Sequence, residues 1–147
     1  MITKDETIGP AEGAVLVVKT PASPSYLISF SGGNLISRRL ESTQGEFTPR
    51  DTEGIPFTPK AIIFDKENSR LIVISEDPGD DILVMSFDSA TGNFGNPEPI
   101  TESGGSEEIG GADFSPDGEF IYFSRGNQLF RVPASNLSAP PEQIPTI

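Results

Sequence analysis

Hydrophobic and polar positions alternate over short stretches of this chain, and each stretch ends in a turn sequence. The clearest case begins at Ala112, where an apolar segment is followed by the turn Ser115–Gly118 and by the apolar stretch Phe120–Ser124. A second turn, Gly126–Asn127, leads into Leu129–Val132. Proline presets φ at the second position of a β-turn, Asp and Gly suit the later positions, and β-branched or aromatic runs are typical of strands. The pattern predicts an antiparallel meander of three strands.

Two earlier parts of the chain show the same order of strands and turns. Gly and Pro account for 15 and 14 of the 147 residues, and no window keeps the spacing of an amphipathic helix, so we predict almost no α-helix. The predicted strands are Ala14–Val18, Tyr26–Phe30, Leu35–Leu40 and a weak one near Phe47 in the first part; Ala61–Phe64, Arg70–Ser75, Asp81–Phe87 and one near Pro99–Thr101 in the second; and one beginning near Ala112, then Phe120–Ser124, Leu129–Val132 and a weak one at Gln143–Ile144 in the third.

A constant offset relates the first two parts. Val15 and Ile62 are 47 positions apart, and so are Leu40 and Phe87. Repeats of this length are typical of stacked units such as the four-stranded blades of a propeller. The same offset joins Val17 and Phe64, Glu41 and Asp88, Ser42 and Ser89, Gly45 and Gly92, and Phe47 and Phe94.

The third part repeats the pattern with small length changes in its loops. The spacing is 50 from Phe64 to Phe114 and 45 from Phe87 to Val132. We therefore predict an all-β fold in a single domain, residues 1–147, that consists of three four-stranded antiparallel blades. The predicted blades cover about 14–59, 60–110 and 111–147.

The second part supplies the central blade. Its third strand, Asp81–Phe87, is apolar at nearly every position, which predicts that it packs between neighbouring blades on both faces. The fourth strands are short and flanked by proline, as expected for outer edges. The connection between the first and second blades is predicted to be polar and to contain Pro49, Asp51, Glu53, Pro56 and Pro59.

The sequence FSPDG-x-x-IYFS at Phe114–Ser124 resembles the repeat of TolB-type and related WD-repeat-like β-propellers, in which this turn joins the first two strands of a blade. Asp88–Gly92 is similar to the Asp-x-x-Thr-Gly turn of seven-bladed lactonase-like propellers. Both resemblances imply a propeller, and the TolB-type resemblance implies six blades. A lactonase-like enzyme would also need a charged and polar constellation drawn from several blades.

Three blades leave the two end faces without a neighbour, because propellers close with about four to eight blades. Side chains such as Val15, Val17, Leu129 and Phe130 then need apolar partners. Three solutions are open: a two-fold homodimer that closes a six-bladed ring, a longer polypeptide that includes this chain, or a different all-β fold. If this is the whole natural chain, we expect the homodimer, with an obligate interface rich in Phe, Leu and Ile.

Charge limits the partners of the chain. The net charge of −12 argues against nucleic acid and anionic membrane surfaces as partners, and no apolar run approaches the eighteen residues that membrane insertion requires.

The absence of cysteine leaves the compartment undecided, and residues 1–10 contain no apolar signal core. We expect a soluble protein, cytoplasmic or, if a targeting segment has been removed, extracytoplasmic. Asn136–Ser138 matches the N-glycosylation sequon.

The remaining candidate chemistry belongs to carboxylates. The chain contains no histidine, which excludes Ser-His-Asp catalysis and histidine metal sites. In a propeller, the turns between second and third strands and the connections between blades lie on one face around the central channel. Residues 76–81 contain four acidic side chains, and carboxylate oxygens are the ligands that Ca²⁺ prefers. The spacing of an EF-hand is absent, and the alternative interpretation is a solvated acidic turn. The predicted ligand-binding residues are Glu76, Asp77, Asp80, Asp81, Glu107, Glu108, Arg125 and Asn127.

These observations leave three hypotheses for function. The first is a non-enzymatic binding module that presents an acidic channel face to a protein or a small ligand, with no catalytic residues and no cofactor other than Ca²⁺. The second is a lactonase-like hydrolase, or part of one, that uses carboxylates and a divalent metal. The third is a structural repeat segment of a larger surface protein. Because a fold does not confer a function, the residues of the site have to decide among them.

Overall fold

The computed structural model describes residues 16–20, 23–41, 46–65, 67–76, 82–100 and 109–145. All regular structure in these residues is β-strand, arranged in three antiparallel sheets, which confirms the predicted all-β fold of three blades. Blade 1 consists of β1 (Leu16–Thr20), β2 (Ser23–Ser31), β3 (Asn34–Leu40) and β4 (Phe47–Gly54); blade 2 of β5 (Pro59–Asp65), β6 (Arg70–Ser75), β7 (Leu83–Asp88), β8 (Asn93–Phe94) and β9 (Glu98–Pro99); blade 3 of β10 (Ile109–Phe114), β11 (Phe120–Arg125), β12 (Gln128–Pro133) and β13 (Glu142–Ile144).

Each blade is a meander in which consecutive strands pair. Blade 2 has five strands rather than four, because its outer edge is divided into β8 and β9, which both pair with β7. The division falls at Gly95-Asn96-Pro97, and proline has no N–H to donate to a ladder. The strands β5 and β10 begin at Pro59 and Ile109, slightly before the blade starts predicted at 60 and 111.

The register of the strands agrees with the offset of 47. Leu40 pairs with Phe47 across β3 and β4, and Phe87 pairs with Phe94 across β7 and β8. The two pairs therefore occupy the same position in successive blades. The offset of 47 in the sequence therefore corresponds to the same strand register in blades 1 and 2.

The register of blade 3 confirms one predicted equivalence and corrects another. Phe64 pairs with Leu71 in blade 2, and Phe114 pairs with Ile121 in blade 3, so the two phenylalanines are equivalent. On the next strand, Leu71 faces Met85 and Ile121 faces Val132. Val132 thus corresponds to Met85 and not, as predicted, to Phe87. Leu71 and Met85 are 14 positions apart and Ile121 and Val132 are 11 apart, so the connection in blade 3 is three residues shorter, whereas the predicted offsets of 50 and 45 made it five residues shorter.

The outer strand of blade 1 is longer than predicted, since β4 runs from Phe47 to Gly54 and includes most of the stretch expected to be a connection. A bulge makes this possible: Ser37 pairs with Asp51 and Arg38 pairs with Pro49, which leaves Arg50 as an extra residue. Proline is tolerated there because β4 is the edge of its sheet and a bulge interrupts the ladder.

Two apolar clusters hold the blades together, one on each face of blade 2. Leu83, Met85 and Phe87 of β7 pack toward blade 1, while Ile82 and Val84 pack toward blade 3. The prediction that this strand lies between neighbouring blades is therefore confirmed. The cluster between blades 1 and 2 contains Tyr26, Ile28, Phe30, Leu35, Leu71 and Val73, and the cluster between blades 2 and 3 contains Ile72, Ile74, Ile121, Phe123, Phe130 and Val132.

The turn predicted at Ser115–Gly118 is closed by its own side chains. The Gly118 N–H donates to the Ser115 carbonyl at 2.8 Å, and Gly118 has a φ of +75°. The Asp117 carboxylate accepts hydrogen bonds from the Ser115 hydroxyl at 2.6 Å and from the Glu119 N–H at 3.0 Å. The first of these bonds is the largest cause of the lowered pKa of Asp117. Asp117 thus has the structural role that the sequence predicted.

Candidate functional site

The turns β2–β3, β6–β7 and β11–β12 and the connections between blades lie at one end of the sheets; we call this end the rim. It follows from the meander, because every second strand and every outer strand ends on the same side. Two backbone hydrogen bonds confirm the proximity of turns and connections. Ile55 donates to the Gly33 carbonyl at 3.1 Å, and Glu76 donates to the Thr58 carbonyl at 3.0 Å.

Two acid-bearing segments of the rim, 77–81 and 101–108, lie outside the described residues, but the residues that flank them are described. The Ile100 N–H donates to the Ile82 carbonyl at 2.8 Å. Ile74 and Ile109, near the other ends of the segments, belong to the same apolar cluster as Ile82 and Ile100. The described residues that flank the two segments therefore lie in one apolar region at the junction of blades 2 and 3.

Three of the predicted ligand-binding residues lie on the described rim. Glu76 is exposed and directly follows β6. Arg125 ends β11, is half-buried, and holds its guanidinium carbon 4.8 Å from the centre of the Phe130 ring. Asn127 is exposed in the β11–β12 turn. The other five predicted residues, Asp77, Asp80, Asp81, Glu107 and Glu108, lie outside the described residues.

Arg125 is positioned by β10 as well as by its own strand. It pairs with Ile109, which is the residue that directly follows Glu107 and Glu108. Arg125 therefore lies on the strand that pairs with β10, and β10 begins directly after the second acidic segment in the sequence.

Within the part of the chain that the structure describes, no group of three or more Asp, Glu, His or Cys side chains is arranged to hold a metal ion. None of the described segments forms a helix with the length and apolar character needed to cross a membrane.

A second polar cluster, which the sequence did not reveal, lies at the opposite end of the sheets and joins blades 2 and 3. Asp65 Oδ2 accepts hydrogen bonds from Asn68 Nδ2 at 2.8 Å and from Arg70 at 3.1 Å. The same Arg70 nitrogen lies 3.1 Å from the Gly118 carbonyl, and the guanidinium covers the Phe114 ring at 4.4 Å. Arg70 thus connects the β5–β6 turn to the turn of blade 3.

The Asp65 carboxylate is ionised more readily than an ordinary aspartate. Burial by itself raises its pKa, but the hydrogen bonds from Asn68 and Arg70 outweigh this cost and leave the pKa below its usual value. Nothing in the spacing of these residues identifies the cluster, because Arg70 and Gly118 are 48 positions apart and meet only when two blades pack.

Blades 1 and 2 have their own polar contacts. The buried Ser37 hydroxyl donates to the Gly92 carbonyl at 2.6 Å, and the Phe94 N–H donates to Asp51 Oδ2 at 2.8 Å. Asp51, predicted on the connection between the blades, is therefore a structural acceptor in β4. Tyr26 is fully buried beside Gly92, and burial is the main reason for its raised pKa.

Three open clefts lie away from the rim, at the Asp65–Arg70 end of the sheets. The cleft of about 380 Å³ on blade 2 is lined by polar and aromatic side chains that include Asn68, Asp88 and Phe94. Two clefts of about 500 and 340 Å³ flank Arg70 and share Ala134 at the junction of blades 2 and 3. Sequence patterns did not indicate the two clefts beside Arg70, since they are formed between residues of blades 2 and 3.

Comparison with known proteins establishes the fold and nothing finer. No family model matches the chain, and no curated protein matches it. A crystal structure of a protein from Lactobacillus plantarum is similar with a TM-score of 0.63 at 17% identity, over 97% of this chain and 43% of that one. A putative 6-phosphogluconolactonase from Bacteroides fragilis is similar with a TM-score of 0.64 at 14% identity, over 93% of this chain and 39% of that one.

The chain therefore spans about two fifths of the length of these solved structures. The similarity agrees with the lactonase-like resemblance at the level of the fold. The TolB-type and WD-repeat-like resemblance stays a prediction, because neither of these structures carries that description.

Proposed function

We propose that this chain is a propeller-type binding module whose rim at the junction of blades 2 and 3 takes a cationic ligand. The observation that carries the proposal is the hydrogen bond between Ile100 and Ile82, which brings together the flanks of two acidic segments. The carboxylates assigned to the site are Glu76, Asp77, Asp80, Asp81, Glu107 and Glu108.

Electrostatics supports a cation as the ligand. The chain has a net charge of −12, and a concentration of like charges on one rim attracts counter-ions more strongly than isolated carboxylates do. Carboxylate oxygens suit a hard cation such as Ca²⁺ and also suit lysine or arginine side chains of a protein partner. Arg125 and Asn127 lie on the rim of blade 3. They would bind the anionic or carbonyl groups of a larger ligand and so orient it.

Thermal melting in the presence of Ca²⁺, Mg²⁺ or a lysine-rich peptide tests the proposal. A ligand that binds only the folded state stabilises it by about 2.7 kcal/mol at one hundred times its Kd, which is about 5–10 °C for a domain of this size. The variant Asp80→Asn/Asp81→Asn should lose this shift. The control Glu119→Gln removes an exposed carboxylate at the opposite end and should keep it. A melting temperature that none of the three probes changes would refute the proposal.

A lactonase-like hydrolase is the second candidate function, because one similar structure is a putative 6-phosphogluconolactonase. In this chain Arg125, at the rim end of β11, is a cation that would bind the anionic part of such a substrate. Base consumption or proton release with 6-phosphogluconolactone measures this directly. A rate above the uncatalysed one that Arg125→Gln abolishes would favour the enzyme, and a rate equal to the uncatalysed one would leave the binding module.

A second copy of this chain is the partner that we propose for the open face of blade 3. Tyr122 and Arg131 pair on that face at the positions of Ile72 and Val84, which are buried in blade 2. Tyr122 and Arg131 are only half-buried. Phe130, expected at the open end, instead packs toward blade 2.

The corresponding face of blade 1 is also more polar than an interior face. Arg38 occupies the position of Met85, is 2% exposed, and donates to the Ser29 hydroxyl at 3.2 Å. Arg38 and Ser29 are already buried within blade 1, so an interface through the open face of blade 3 would add Tyr122 and Arg131 to the Phe, Leu and Ile predicted from the sequence. We therefore propose a reversible homodimer. Sedimentation equilibrium across a concentration series should show a monomer–dimer equilibrium that Arg131→Glu weakens; a monomer at every concentration would refute it.

A further inference from the structure

The turn between β12 and β13 carries a side chain that neither the binding module nor the hydrolase uses. Asn136, Leu137 and Ser138 form the only Asn-x-Ser/Thr sequence with a non-proline middle residue in the 147 residues. We propose that Asn136 is an acceptor for an N-linked glycan. The motif alone is common in proteins, so the proposal depends on how this turn is built.

The turn separates the three residues of the motif by exposure. Leu137 is half-buried and packs against the apolar cluster between blades 2 and 3, together with Ala134 and Ala139. Asn136 and Ser138 are both exposed. Because the middle residue is directed to the core, the acceptor amide and the hydroxyl are presented to solvent on one side of a held loop.

Backbone hydrogen bonds keep the loop in this shape. The Asn136 N–H donates to the Pro133 carbonyl at 3.1 Å, and the Ala139 N–H donates to the Asn136 carbonyl at 3.2 Å. Two successive tight turns therefore project Asn136 from the end of β12. A loop at the surface is the place where a bulky, solvated modification is tolerated.

The two functional groups of the motif are in contact. The Ser138 hydroxyl donates to Asn136 Oδ1 at 2.9 Å. This bond occupies the carbonyl oxygen of the carboxamide and directs it toward the loop. Among the contacts of the described residues, the Asn136 side chain makes this hydrogen bond and its Nδ2 makes none. The nitrogen that has to react is the atom left to solvent.

The reaction needs a co-substrate of the lipid-linked glycosyl pyrophosphate class and the transferase that uses it. Asn136 Nδ2 forms a bond to the anomeric carbon of the sugar and gives up one proton. The bond between that carbon and the pyrophosphate oxygen breaks, and the lipid pyrophosphate leaves with the electron pair. The step transfers a glycosyl group and involves no oxidation.

The position of the turn predicts that a glycan would not block the rim. β12 begins beside the β11–β12 turn at the rim and ends at Pro133, so Asn136 lies at the opposite end of the blade. There it borders the two clefts beside Arg70, which are lined in part by Ser135 and Leu137. Glycosylated protein should therefore keep the response to cations proposed for the rim.

Cell-free translation of the full chain behind a cleavable signal sequence, with endoplasmic-reticulum microsomes, tests the acceptor. The expected product carries one glycan, seen as a single mobility shift that peptide N-glycosidase reverses. Asn136→Gln and Ser138→Ala should abolish the shift, and Ser138→Thr should keep it because threonine supplies the same hydroxyl. Asn96→Gln changes another exposed asparagine that lies outside the motif and serves as the matched control.

Two results would overturn the proposal: an unmodified wild-type chain in a reaction that glycosylates a reporter protein, or a shift that persists in Asn136→Gln. Thermal melting of unmodified Asn136→Gln and wild type should give the same temperature, because the exposed side chain contributes only its bond to Ser138. This comparison separates a lost acceptor from a misfolded variant.

Discussion

The guanidinium of Arg70 lies 4.4 Å from the centre of the Phe114 ring and joins blade 2 to blade 3 at the end opposite the rim. Arg70 is the first residue of β6, and the next four residues of that strand, Leu71 to Ile74, are apolar. Its contact with Asp65 at 3.1 Å and with the Gly118 carbonyl at 3.1 Å completes a link between two turns of different blades. The alignment of the blades therefore depends on one cation as well as on apolar packing.

Replacement of Arg70 by alanine should destabilise the chain by about 2–3 kcal/mol, since it removes a cation–π contact and leaves a partly buried carboxylate without its partner. Chemical denaturation measures the difference. Arg50→Ala is the matched control, because Arg50 also pairs with a carboxylate, that of Glu41 at 2.8 Å, but at a more exposed site. Surface pairs contribute little. Equal losses from both variants would contradict the role given to Arg70.

Substitution of Gly118 should strain the turn of blade 3. Its φ of +75° disfavours any residue with a Cβ by roughly 1–2 kcal/mol. A Cβ there would also stand 2.5 Å from Asn68 Nδ2, so valine should destabilise more than alanine. Glu119→Lys, one residue further and exposed, should have almost no effect on the melting temperature. If Gly118→Val and Glu119→Lys had equal effects, the turn would have been assigned wrongly.

Phenylalanine truncations should rank by burial. Phe87 is fully buried and makes edge contacts with Tyr26 at 5.4 Å and with Phe64 at 6.1 Å, so Phe87→Ala should cost about 3–5 kcal/mol. Phe114 is only half-buried, and Phe114→Ala should cost less than the full amount expected for a buried ring. Unfolding midpoints in urea give the order. A larger effect at Phe114 would show that its contact with Arg70 outweighs burial.

Acid should remove the stabilisation that Asp65 provides. Its pKa is lowered in the folded chain, so its contribution is complete above the unfolded value of about 3.9 and is lost as the pH falls through the lower folded value. Asp65→Asn should be less stable than wild type at pH 7, and the two should converge as the pH falls through the lowered pKa of the folded chain. Melting curves from pH 7 to pH 2.5 make the comparison. A difference that stays constant over this range would show that the carboxylate charge is not responsible.

The repeat could be recognised in the sequence because residues that pair across a turn have the same separation along the chain in successive blades. Leu40 and Phe47 are seven positions apart, as are Phe87 and Phe94, and each pair became a cross-strand neighbour. Loops of unequal length break this relation, which is why Val132 was aligned two positions from its true counterpart. Pro49 misled the prediction in another way, since a bulge at the edge of a sheet admits a proline that an inner strand would exclude.

Only part of the candidate site could be predicted from the sequence. The turns that carry Glu76, Arg125 and Asn127 could be assigned to one end of the blades, because a meander fixes which turns share a side. That Ile82 and Ile100 bond to each other could not be foreseen. The contact joins two parts of blade 2 whose spacing depends on the divided outer edge.

By itself, the sequence determined the all-β class, the three repeats, the turn at Ser115–Gly118 and the placement of β7 between two blades, because alternation, turn residues and periodicity are local properties. The tertiary structure alone decided which polar groups meet between blades: Arg70 with Gly118, Ser37 with Gly92, and Asp51 with Phe94. It also decided that the faces at the two ends carry Arg38 and Arg131 where interior faces carry Met85 and Val84. These contacts follow from the angle and distance at which one sheet packs on the next, and no spacing along a single strand encodes them.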